Sequence, residues 1–165
     1  MGLENGVSKQ AYIQLLTEAL GKKIKVMEQL LDITSRQEGI IASEKFDEDL
    51  FMQTIASKDE QIQLLDKLDT GFEKIYNYVK NEFAENSKSY KDEITLLQNQ
   101  IKILTDLNVK VQALEKRNKS KLELIFSGKH KEIRNVRLNS KTVSSYYKTI
   151  AGQNEGQSFF YDKKN

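Results

Sequence analysis

The apolar positions of the chain recur at alternating steps of four and three. The first run is Leu16, Leu20, Lys23, Met27, Leu30, Thr34, Gln37 and Ile41, with Ile13, Ile24, Leu31 and Ile40 beside it. A 3.5-residue period with one widened flank is the pattern of a helix packed in a bundle. It predicts a first helix over about residues 8–42, opened by Ser8 and weakened locally by Gly21 and Gly39. At about 1.5 Å per residue such a helix spans roughly 50 Å.

A second run is Phe51, Ile55, Lys58, Ile62, Leu65, Asp69, Phe72, Tyr76, Val79 and Phe83, with Leu68 placed to pack beside Asp69. Asp47, Glu48 and Asp49 precede it and put carboxylates where free backbone N–H groups favour them, so the second helix is predicted over 47–85. Asn86-Ser87-Lys88-Ser89 reads as a turn. Ser89 followed by Asp92 approximates the start signal of a third helix over 89–137. Its seam is Tyr90, Ile94, Leu97, Ile101, Leu104, Asn108, Val111, Glu115, Asn118, Leu122 and Ile125. Ser127-Gly128 is a candidate end or kink, after which Ile133, Val136 and Leu138 form a weaker stripe. The fold class expected is all-α: a long antiparallel helical hairpin or three-helix bundle over residues 1–138, coiled-coil-like. Residues 139–165 read as a C-terminal arm that carries Tyr146, Tyr147, Phe159, Phe160 and Tyr161 among poor helix formers.

Composition narrows the function classes. The 165 residues include no Cys, Pro or Trp and one His, His130. Disulfides, thiolate metal sites and two-His metal motifs are excluded, and nothing interrupts long helices. The chain is 38% hydrophobic and 30% charged, short of apolar material for a compact enzyme core. No phosphate loop, nucleophile elbow or metal-ligand cluster occurs, so neither an enzyme nor a cofactor is expected. Asp47-Glu48-Asp49 is explained by a solvated helix start, and His130 among Lys129, Lys131 and Arg134 by a solvent-facing position. No signal peptide or membrane span is recognisable, which leads to an expected cytoplasmic location.

Charge is uneven. Residues 1–109 sum to −6, residues 110–141 to +7 and residues 142–165 to +1. The basic stretch fits an anionic partner or self-complementary packing against the acidic body. Nucleic acid is disfavoured, because Lys116, Arg117, Lys119, Lys121 and their neighbours have few interleaved aromatics and no recognised fold around them. A membrane-surface helix is disfavoured because Leu122, Ile125 and Phe126 make a short apolar face. What remains is recognition of helices by helices. Polar Asn108, Glu115 and Asn118 interrupt the third seam. We therefore expect the stripe from Val111 to Val136 to be covered by another polypeptide, or by a second copy as a homodimer. The candidate contact residues are Val111, Leu114, Leu122, Ile125, Phe126, Ile133, Val136, Tyr146 and Tyr147.

Particular stretches also resemble a known family. Leu30-Leu31-Asp32-Ile33-Thr34 with Gln37-Glu38 and Ile40-Ile41, then Asp49-Leu50-Phe51, Lys58-Asp59-Glu60 and Leu64-Leu65-Asp66-Lys67-Leu68, resemble flagellar export chaperones of the FlgN type. The ending, Tyr146-Tyr147-Lys148 and Gln157-Ser158-Phe159-Phe160-Tyr161-Asp162-Lys163-Lys164, is similar to the tails of such proteins in Gram-positive anaerobes. The resemblance implies a cytoplasmic, non-enzymatic chaperone. It would bind terminal helical segments of hook–filament junction (hook-associated) proteins, keep them unassembled, and deliver them to the type III export gate and its ATPase components. It implies that the C-terminal helical region engages cargo, here broadly residues 111–147. A chaperone of the filament cap protein or of another secretion substrate, or a structural coiled-coil adaptor, are the alternatives.

Overall fold

The computed structural model describes residues 6–128. Three helices follow one another: α1 (Gly6–Ala42), α2 (Glu48–Glu85) and α3 (Lys91–Gly128). The lengths of α1 and α2 and the start of α3 agree with the periodicity, and no strand occurs among the described residues. The expected continuation of α3 to residue 137, the arm from 139, and the candidate residues Ile133, Val136, Tyr146 and Tyr147 lie outside the described residues.

Local chemistry sets both reversals. Asp47 caps α2 from an extended backbone, its Oδ1 accepting the Leu50 N–H at 3.0 Å. Phe46 before the cap packs on Phe51 in the first turn with ring centroids 5.5 Å apart, which fixes the angle at which the chain enters α2. At the other reversal the Asn86 N–H donates to the Glu82 carbonyl at 2.9 Å, and the Ile94 N–H donates to the Tyr90 carbonyl at 2.8 Å. The segment 86–90 is therefore a turn, as expected.

Both reversals make neighbours antiparallel, so α1 and α3 run parallel. α1 packs closely along both α2 and α3, and this explains why its seam is widened: Val26 and Ile33, outside the four-three pattern, are buried with it. Glu82 ties the end formed by the α2–α3 turn. It accepts from Lys9 Nζ of α1 at 2.8 Å and from Asn86 Nδ2 at 3.0 Å, and lies 3.4 Å from the Tyr90 hydroxyl. The hydrogen bond from Lys9 holds the Glu82 carboxyl below its ordinary pKa. We call this the near end, and the opposite end, where α1 finishes and α3 runs out, the far end.

Two apolar clusters fill the interior. The main one runs from the near end and includes Ile13, Leu16, Leu20, Met27, Leu30, Ile62, Leu65, Leu97, Leu104 and Val111. Among the described residues the far-end cluster holds Ile41, Phe51, Ile55 and Leu122 as buried members, with Ile40, Phe46, Ile125 and Phe126 packed around them. Between the two lies a layer of polar side chains.

Candidate functional site: the buried polar layer and the far end

Seam positions that break the apolar pattern on all three helices meet at one level. Lys58 of α2 is 0% exposed, and Glu115 of α3 is 2% exposed. Lys58 Nζ donates to Glu115 Oε1 and to Gln37 Oε1 of α1. Gln37 Nε2 donates to the Thr54 hydroxyl at 3.0 Å, and that hydroxyl donates to the Phe51 carbonyl. The Thr34 hydroxyl lies 2.6 Å from the Leu30 carbonyl and 3.1 Å from Glu115 Oε1, and its single proton serves one of them at a time. Asn118 Nδ2 donates to the Thr34 carbonyl at 3.1 Å.

The layer is mostly but not wholly satisfied. Asn118 Oδ1 is buried without a hydrogen-bond partner, as is Gln112 Nε2 nearly two turns earlier on α3. Each such group costs about 1–3 kcal/mol of desolvation. Burial also moves Lys58. Loss of water around its ammonium outweighs the attraction of Glu115 and brings its pKa down to about 8. A second polar pair joins buried Lys23 of α1 to partly exposed Asp69 of α2. Burial there raises the Asp69 carboxyl above its usual range despite the neighbouring Lys23 charge.

The expectation that α3 from Val111 presents an open stripe needs correcting. Val111, Leu114 and Leu122 are buried inside the bundle, and Ile125 and Phe126 are half-buried against the far-end cluster. Glu115 is met from within by Lys58 and Thr34, and Asn118 by the Thr34 carbonyl; Asn108 is buried too. In the closed bundle Val111, Leu114 and Leu122 present no surface to a partner. The exposed large apolar side chains among the described residues are others: Leu15, Leu50, Leu64, Tyr78, Leu96, Ile103, Val109 and Leu124.

Sequence reasoning noted Thr34, Gln37, Lys58, Glu115 and Asn118 as seam positions but missed that they form one unit, and it missed Thr54 altogether. The signal was available. Folding the chain at 43–47 and at 86–90 brings 34–37 level with 54–58 and with 115–118.

Other features carry less chemistry. A cleft of about 540 Å³ lies between the end of α1 and the start of α2, lined by Arg36, Gly39, Ile40, Leu50, Thr54 and Ser57 among others. It is open, and its one carboxylate, Asp47, already caps α2. Among the described residues no group of three His, Cys, Asp or Glu is placed to hold a metal ion. No helix there is long and apolar enough to cross a membrane. No protein-family model matches the chain, and no curated protein or solved structure is similar enough to count as a match.

Proposed function

We propose that this protein is a helix-binding export chaperone of the FlgN type, which takes terminal helical segments of hook–filament junction proteins at the far end of the bundle and holds them for the type III export apparatus. The observation that carries the reading is the polar layer between the two apolar clusters. It isolates the far third of α3 from the main core.

The magnitudes favour opening there. Lifting α3 from the far-end cluster forfeits one fully buried leucine and two half-buried side chains, on the order of 3–6 kcal/mol of apolar burial, and breaks the Lys58–Glu115 pair and the Asn118–Thr34 bond besides. Backbone freedom of about 1–2 kcal/mol per residue offsets this where the released segment unfolds. Among the described residues the main cluster contains fifteen buried apolar side chains, against four at the far end, so it keeps the rest of the bundle closed. Local opening of this kind is how stable folds expose a binding surface without global unfolding. A cargo helix with a matching stripe then takes the place of Leu122, Ile125 and Phe126 on Ile41, Phe51 and Ile55. Exposed Lys116, Arg117, Lys119 and Lys121 speed the encounter with acidic cargo.

The test is calorimetric titration of the full chain with terminal helical segments of junction proteins, of a filament cap protein, and of an unrelated amphipathic helix. Binding to junction segments with protection of the far-end amides of α1 and α2 is expected. Binding to the cap segment alone moves the protein to the sister class of chaperones. Binding to none of them rejects the reading.

A further inference from the structure

We infer that the far-end groove selects a cargo helix by a carboxylate: a segment that runs parallel to α1 and presents Asp or Glu to Lys58, with a branched apolar residue seven positions later. The inference rests on the exchange reading above and names the chemistry of the helix that enters.

The groove keeps its polar half when α3 leaves. Lys58, Gln37, Thr34 and Thr54 belong to α1 and α2, and in the closed bundle Lys58 Nζ is bonded to both Gln37 Oε1 and Glu115 Oε1. An entering helix that lacked an acid would bury the ammonium without the carboxylate that Glu115 gives it in the closed bundle. Removing one member of a buried charge pair is among the most costly single changes in a protein interior. An acid at that register restores the pair, so affinity follows it. Register is set twice more. Asn118, three residues after Glu115, bonds the Thr34 carbonyl at 3.1 Å, and Leu122, seven after, enters the apolar cluster. The direction follows from α3 itself, whose far third runs parallel to α1. The cargo pattern is therefore an acid, a small amide or hydroxyl at the third position on, leucine or isoleucine at the seventh, and a further apolar residue at the tenth.

The absence of native cysteine permits single-site fluorophore labelling of the test peptides or the chain without background. The chain carries Glu115→Ala, Leu122→Asp and Ile125→Asp, which vacate the groove while leaving the main cluster. The probe is a labelled peptide copying residues 112–128, in three forms: native, Glu115→Gln and Glu115→Lys. The expected result is that the native peptide binds at least tenfold more tightly than the Lys form, with the Gln form between. In a second chain that also carries Lys58→Glu, the Lys form binds better than the native one. Helical circular dichroism and amide protection of the main cluster verify that both chains are folded. Equal affinity for the three peptides overturns the carboxylate rule and leaves helix exchange standing. Failure of all three peptides, while junction segments bind the native chain, also overturns the rule and leaves the chaperone reading. Failure of peptides and junction segments alike overturns both.

Discussion

Lys58 and Glu115, fifty-seven residues apart and on different helices, are bonded to each other inside the bundle, and both side chains are buried. Neither charge is there to maximise stability. A buried ion pair replaced by apolar residues of like volume is often neutral or stabilising by about 1–4 kcal/mol, whereas loss of one partner destabilises by about 3–5 kcal/mol.

That asymmetry gives the first prediction. Glu115→Leu alone lowers the unfolding free energy by about 3–5 kcal/mol in urea titration. The double variant Lys58→Met with Glu115→Leu recovers that loss and equals or exceeds the native chain. The double variant also binds cargo segments more weakly, because its closed state is favoured over the opened one. A double variant as unstable as the single one would show that the pair holds the fold rather than tunes it.

The pH dependence follows from the same lysine. Lys58 has its pKa lowered by burial to about 8, against an ordinary 10.5. Between those values the unfolded chain binds the proton and the folded chain does not. Stability therefore rises with pH across about 8 to 10.5 for this group, and below 8 the full cost of holding a buried ammonium is present. Chemical denaturation between pH 8 and 9.5, below the tyrosine range, is expected to show a positive slope in the native chain that Lys58→Met lacks. Equal slopes in the two proteins would count against the burial effect.

The far end is expected to open before the rest. Hydrogen exchange of amides 119–128 proceeds faster than that of amides 94–111, because the former face a cluster of four buried apolar side chains and the latter the main core. Leu122→Asp with Ile125→Asp removes protection from 119–128 and tightens cargo binding, because the groove on α1 and α2 is then vacant, and the protein retains most of its helical circular dichroism. Uniform loss of protection along α3 would mean that the polar layer does not divide the bundle.

Three glycines offer a gain in stability. Gly21, Gly39 and Gly71 lie inside helices, and an added Cβ at each meets nothing within 4 Å. Replacement of each by alanine is expected to stabilise by about 0.5–1 kcal/mol through backbone entropy. Thermal melts of the single and triple variants measure it. A loss at Gly39 alone would point to a use of the bare backbone beside the cleft at the α1–α2 reversal.

Much of this was legible along the chain. The four-three spacing determined three long helices, and Asp47 and the segment 86–89 determined where the chain turns, because both signals act over a few residues. The same spacing placed Lys23, Thr34, Gln37, Lys58, Glu115 and Asn118 on the seams. It did not tell whether those polar groups wait for a partner or for each other. A linear pattern reports which face of a helix is inward, and only folding at both turns sets positions 34–37, 54–58 and 115–118 level. The tertiary structure decided that Val111, Leu114 and Leu122 are inside and that the apolar interior is divided in two. The physical reason is that a buried charge is tolerable only beside its opposite, and which opposite it meets is a property of packing between helices.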